Sequence, residues 1–306
     1  MLSLMFSCFP ALVPTPAHGR SAIALRAAQP TAIAAPAPVV VFGPGSLDVR
    51  LITAKLAARA GFATSIIAGA GAENQWRRFL GEEASDDIAL VSSPEDIGAA
   101  LAEAAALCIV CDESPLPEET MVSALEAAPK LERVVLLSKH GVTRAQGGPF
   151  DRLTGGLFAL KEGEEALAKA LGEKELSIVR VGTLKGGGPG RVEGGVVVSG
   201  VELGLAKTYY DSILELETAL VTQAYDKFTL GAKCARGDPI DPPNPVIKLA
   251  NRGSFEPRDD ETSRIVACAA AVQALRHPTA LELSVSAAKG EAPPTSGQWE
   301  AIFNQL

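Results

Sequence analysis

The sequence predicts an α/β protein built on a Rossmann-like, doubly wound parallel sheet, with a helical and loop insertion in its C-terminal part. Three observations carry that expectation. Short, nearly continuous apolar runs recur along the chain, as strands covered on both faces require. Segments of helical period separate them. The first run, Val39-Val40-Val41-Phe42, breaks at the turn Gly43-Pro44-Gly45 and passes directly into a helical pattern with Leu51, Ile52, Ala54, Leu56 and Ala58 that ends at Gly61. Strand, glycine turn and helix make a unit whose helix N-terminus can hold a pyrophosphate.

The remaining elements follow in order. Residues 63–68 read as a second strand and 73–80 as a helix. Residues 87–91 form a third strand, after which Ser93-Pro94-Glu95-Asp96 opens a helix with a capping serine, a first-turn proline and acids suited to the dipole. Strands over 107–111, 133–137 and 176–181 alternate with helices over 118–127 and 157–171. The glycine-rich stretch 182–200 interrupts the rhythm. Residues 201–260 then form the insertion, whose first half is helical with Tyr209, Ile213, Leu216, Leu220 and Phe228 along one face and Tyr210, Leu214, Val221 and Tyr225 beside it. So broad a stripe must bury against something. Either it docks a protein partner through 203–245, or it covers an edge of its own sheet. A stiff loop, Asp238 to Pro245, follows. The alternation resumes with a helix over 261–275, a strand over 281–285 and a last helix over 297–303.

Composition narrows the function. The chain has 306 residues, 47% of them apolar and 21% charged, with a formal charge of −8. That balance argues against a nucleic-acid or anionic-membrane partner. Residues 1–37 contain Arg20, Arg26 and His18 but no acid, and the first acid is Asp48. An apolar opening followed by an Ala/Pro/Ser-rich stretch without acids suits a signal-plus-transit segment. It points to a plastid, in the stroma or on the stromal face of the thylakoid; the alternative is a tail with no address. Residues 38–306 would then be one domain. No later apolar run approaches the ~20 residues of a membrane span, although peripheral association with a membrane complex stays open.

Cys108 and Cys111 form a C-x-x-C. Within an apolar strand, side chains three apart face opposite ways, which favours core packing over a redox or zinc pair. No metal constellation is expected, since His18, His140 and His277 are far apart in sequence. The glycine turn supplies candidate pyrophosphate contacts in Gly43, Gly45, Ser46 and Leu47. Asp48, however, stands where G-x-G-x-x-G wants its third glycine, and it places a carboxylate near the anion.

Several phrases resemble the atypical short-chain dehydrogenase/reductases of the NAD(P)-binding, NmrA-like group found in plastids. They are Leu136-Leu137-Ser138-Lys139-His140-Gly141, Lys161 with Glu165, Ile178-Val179-Arg180-Val181-Gly182, and Thr262-Ser263-Arg264-Ile265-Val266 followed by Trp299-Glu300-Ala301-Ile302-Phe303. The resemblance covers 38–200 and 261–306. It implies a Rossmann domain, NAD(P)H as cofactor, Ser138 orienting a substrate and Lys161 on the nicotinamide ribose. An ordinary turn hydroxyl and a solvated lysine are the plain alternatives for these two.

The functional positions depart from that pattern. The proton-transferring tyrosine four residues before Lys161 is Leu157. The adenine-holding Asp after the third strand is Leu90. The tip of the second strand, Ala68-Gly69-Ala70-Gly71, carries neither an acid nor a base, and Cys111-Asp112-Glu113 puts two acids where an anionic cofactor would arrive. The expectation is therefore weak or absent NAD(P)H binding; the resemblance, to a group whose members include auxiliary factors of photosynthetic complexes, implies an auxiliary, assembly or structural subunit of such a complex. The alternative is an NAD(P)H-dependent reductase or dinucleotide-binding redox sensor acting on a small plastid metabolite.

Overall fold

The computed structural model describes residues 32–69, 71–81, 84, 86–147, 156–172, 174–213, 216–241 and 256–306, with backbone alone over 212, 213 and 216–221. The first half alternates strictly: β1 Pro38–Phe42, α1 Leu47–Arg59, β2 Ala63–Ile67, α2 Glu73–Leu80, β3 Ile88–Val91, α3 Pro94–Glu103, β4 Ala106–Val110, α4 Glu118–Glu126, β5 Arg133–Lys139, α5 Leu157–Leu171 and β6 Glu175–Val181. Then come β7 Thr183–Lys185, β8 Val192–Glu193, β9 Val196–Val197, α6 Lys207–Ile213, α7 Leu216–Phe228, β10 Gly231–Arg236, β11 Glu261–Ser263, α8 Arg264–Arg276, β12 Glu282–Ala288 and α9 Ser296–Phe303.

The main sheet has eight strands in the order β10-β12-β6-β5-β4-β1-β2-β3. Every pair in it is parallel except β10 with β12. The order reverses between β1 and β4, which is the crevice where open α/β sheets bind ligands. Residues alternate between the two faces. Val39, Val41, Cys108 and Val110 pack under α1 and α8, whereas Val40, Phe42, Leu107, Ile109 and Cys111 pack under α3, α4 and α5. Cys108 and Cys111 thus lie on opposite sides of the sheet. Burial pushes both thiols up to about 12, so they act as core apolar groups.

Local signals explain several boundaries. The Ser93 hydroxyl accepts the Asp96 N–H with Pro94 in the first turn, and Thr295 and Gln298 close a capping box on α9. Other expectations need correction. The helix expected from 261 begins at Arg264, because residues 261–263 pair with β7 as β11. The glycine-rich break after β6 contains three short strands.

The insertion holds two helices rather than one, and its second half sends β10 into the main sheet against β12. Its aromatic face is turned inward. Tyr210 and Tyr225 are buried, and the Tyr209 ring packs on Phe79 of α2 with 3.6 Å between centroids. These tyrosines pack on the protein's own core, against α2 and the glycine-rich loop. Of the other stripe residues, Phe228 is exposed, and the side chains of Ile213, Leu214, Leu216, Leu220 and Val221 lie outside the described residues, as does the proline loop beyond Asp241 and the N-terminal segment 1–31. Among the described residues no helix is long and apolar enough to cross a membrane.

Candidate functional site

The site is built at the β1–α1 turn. Gly43 has φ +133°, and a side chain there would lie 2.3 Å from the Val110 carbonyl oxygen. A Cβ on Gly45 would lie 2.2 Å from Asp112 Oδ1 and 2.7 Å from the Val110 carbonyl oxygen. Both glycines are therefore required by the chain's own packing against the end of β4. The Gly45 N–H donates to the Val110 carbonyl at 2.9 Å.

Asp112 occupies the position that matters most. Its Oδ1 accepts the Ser46 N–H at 2.9 Å and its Oδ2 accepts the Ser46 hydroxyl at 2.5 Å. Ser46 is the N-cap of α1, and it makes no side-chain cap bond within the helix. A carboxylate held there gains from the helix dipole and from the otherwise unpaired N–H groups of the first turn. These are the donors a pyrophosphate would use. Asp112 is 3% exposed. Burial pushes its carboxyl above the usual range; the two Ser46 bonds pull the other way, while Glu113 and Asp48 add to the rise.

The surroundings close over this turn. Asp48, in the third-glycine position, forms an ion pair with Arg264 Nε at 2.6 Å, and Arg264 Nη1 donates to the Gly186 carbonyl at 2.9 Å. A side chain on Gly187 would meet Arg264 and Ile52, so the loop after β7 lies directly on α1. Asp226 of α7 pins that loop by accepting the Gly187 and Gly188 N–H groups at 3.1 and 2.8 Å. On the other flank, the Arg50 guanidinium lies over the Trp76 ring at 5.2 Å; burial lowers its pKa and the Asp112 charge offsets part of that.

The sequence-predicted residues divide into two groups. Gly43, Gly45, Ser46 and Leu47 come together at the turn, where the Ser46 N–H and hydroxyl are engaged with Asp112. Ser138 is fully buried. It lines a cavity of about 10 Å³ with Cys111, Leu160 and Glu164, the scale of one water molecule, and its hydroxyl has no partner among the described residues. Leu157 is 3% exposed in the core under α5. Lys161, one turn on, is half-buried.

His140 is also fully buried, and burial lowers its imidazole to about 4. Among the described residues no three His, Cys, Asp or Glu side chains converge on a metal position. Sequence reasoning noticed Asp112 only as a source of repulsion and missed that it bonds Ser46; its place directly after β4 was the available signal. Nothing local pointed to Arg264 or Asp226.

No protein-family profile matches the chain, and no curated protein matches it. Solved structures do. An SsCR variant is 8% identical, with 88% of this chain and 83% of that one covered and a TM-score of 0.51. Gre2 from Candida albicans is 11% identical over 88% of this chain and 82% of its own, with a TM-score of 0.47. ChuY, an anaerobilin reductase from Escherichia coli O157:H7, is 12% identical over 84% and 100%, also at 0.47. At such identities the likeness concerns the fold. The class of protein is therefore a Rossmann-type α/β protein.

Proposed function

We propose that this is a Rossmann-fold protein of the atypical short-chain dehydrogenase/reductase type whose dinucleotide seat is closed by its own Asp112. In this reading it serves as an auxiliary, assembly or structural subunit rather than as a dehydrogenase. The observation that carries it is the pair of hydrogen bonds that Ser46 donates to Asp112. A pyrophosphate entering there meets a carboxylate in its place. Like charges 4 Å apart repel by ~1 kcal/mol in water and more in a drier crevice, and the Ser46 bonds must break as well. Leu157, in place of a tyrosine, leaves no hydroxyl at that position for general acid–base work. The acid-free composition of residues 1–37 supports a plastid address, and from it we extend the proposal to a stromal protein serving a photosynthetic complex.

Titration with NADPH and NADH tests the reading. The native chain is expected to show no saturable binding tighter than ~100 μM, about −5.5 kcal/mol. Asp112→Ala, which empties the helix N-terminus, is expected to bind at least ~10-fold tighter than the native chain, a change of about 1.4 kcal/mol. Tight binding by the native chain would refute the proposal.

The second reading is an NAD(P)H-dependent reductase, or a redox sensor that binds dinucleotide without turning it over, acting on a small plastid metabolite. The fold favours it: the strand order reverses between β1 and β4, beside the N-terminus of α1. If Asp112 turned away, Gly43, Gly45, Ser46 and Leu47 would border the pyrophosphate. NADPH consumption with carbonyl substrates by the native chain would establish this reading and displace the first.

A further inference from the structure

Ser138 is the residue the sequence offers for orienting a substrate, and the structure gives its hydroxyl a different neighbour. It lies near the C-terminal end of β5, opposite Arg180 of β6, and is fully buried. The cavity it borders measures about 10 Å³, which is room for one water molecule and for no organic substrate. Its walls come from the segment after β4 and from α4, β5 and α5.

Most of that wall is apolar, with Leu116, Met121, Leu136 and Leu160 in it. A cavity lined by such side chains alone stays dry. Three polar groups change the balance here. The first is the Ser138 hydroxyl, one donor with two acceptor lone pairs, which has no hydrogen-bond partner among the described residues. The second is the Glu164 carboxylate. Its oxygens accept Nε and Nη2 of Arg180 at 3.2 and 2.6 Å, and a carboxylate has about four lone-pair sites, so roughly two stay free. The third is the Cys111 thiol. Burial, with the Asp112 and Glu164 charges adding to it, keeps that thiol protonated, and its S–H is a weak donor.

These groups are what an interior water requires. Such waters make about three hydrogen bonds to polar groups that otherwise lack partners. A water in this space can donate to Glu164, exchange a bond with Ser138 and accept the Cys111 S–H. A buried hydroxyl left unbonded carries its full desolvation penalty, whereas a bridging water is enthalpically nearly as good as a direct hydrogen bond. Glu164 is also the α5 partner of Arg180. A water on its free lone pairs therefore ties β5 to the ion pair that joins α5 and β6.

We propose that the cavity beneath α5 is a binding site for one internal water, held by Ser138, Glu164 and Cys111, and that Ser138 anchors this water rather than a substrate. The proposal is independent of whether the crevice takes dinucleotide. NADPH binding by the native chain would refute the closed seat and leave this site as it is.

A crystal structure of the native chain is the direct test. One ordered water is expected within about 3.2 Å of both Ser138 Oγ and a Glu164 carboxylate oxygen. In solution, water relaxation dispersion counts long-lived internal waters, and Ser138→Ala is expected to hold one fewer than the native chain. The crystal structure needs no variant, so the test stands whatever Ser138→Ala does to folding. A dry cavity in the native crystal, a Ser138 hydroxyl bonded directly to a protein group, or an unchanged water count in a folded Ser138→Ala chain overturns the proposal.

Discussion

Asp112 and Asp226 are both carboxylates withdrawn from water and held by backbone N–H groups, yet their surroundings differ. Asp112 accepts from one N–H and one hydroxyl at a helix N-terminus. Asp226 is completely buried, accepts from two glycine N–H groups and has Arg264 as its favourable charge; burial nevertheless pushes its carboxyl up to about 7. The folded value stands above the unfolded one of about 3.9. The stability that the group carries is therefore present when it is protonated and is lost as pH rises through about 7.

Asp226→Asn removes that dependence. Its melting temperature should lag the native chain's by more at pH 5 than at pH 8, and thermal melts across that range check it. His140 carries the opposite sign. Its folded value of about 4 lies below the unfolded one of about 6.5, so its contribution is lost as pH falls between them. His140→Leu should lose less stability than the native chain between pH 7 and pH 4, which acid-unfolding curves measure. Asp112 was visible in the sequence as an acid after β4, whereas Asp226 was one acid among many in a helix.

At the scale of elements, helix α5 is locked to the sheet through Arg180 of β6. Its guanidinium bonds Glu164 through Nε at 3.2 Å and Nη2 at 2.6 Å, and Glu282 of β12 through Nη1 at 2.7 Å. Arg180 is 2% exposed and Glu164 is nearly as buried. Removing one partner leaves the other charge uncompensated in a dry site. Arg180→Met is therefore expected to cost about 3–5 kcal/mol in urea unfolding, and Arg180→Met with Glu164→Leu to recover much of it. A double-variant loss equal to the sum of the Arg180→Met and Glu164→Leu losses would show that the pair is not coupled.

The alternation of strands and helices was readable because apolar runs bounded by capping and turn residues are local signals. The partner of Arg180 was not, since Glu164 and Glu282 lie 16 and 102 residues away. The same limit hid β11, whose three residues are a strand only because β7 lies alongside.

For the whole molecule, the notable result is that the insertion contributes to the main sheet. β10 pairs with β12 from Gly231↔Ala288 to Arg236↔Leu283, while α7 holds the glycine-rich loop over α1. An insertion integrated in this way should not melt by itself. Urea unfolding followed by tryptophan fluorescence, from Trp76 and Trp299, and by circular dichroism should give one coincident transition; two separated transitions would mean that the insertion folds independently.

By itself the sequence determined the class of fold, the alternation of strands and helices from β1 to β6, and the apolar role of Cys108 and Cys111. Each of these depends on neighbours in sequence or on the identity of one residue. Tertiary structure alone decided that Asp112 bonds the helix it faces rather than merely repelling an anion, and that the insertion's tyrosines turn inward. Both outcomes depend on where a distant backbone places a side chain, and hydrogen bonds and packing act over a few ångströms of space whatever the separation along the chain.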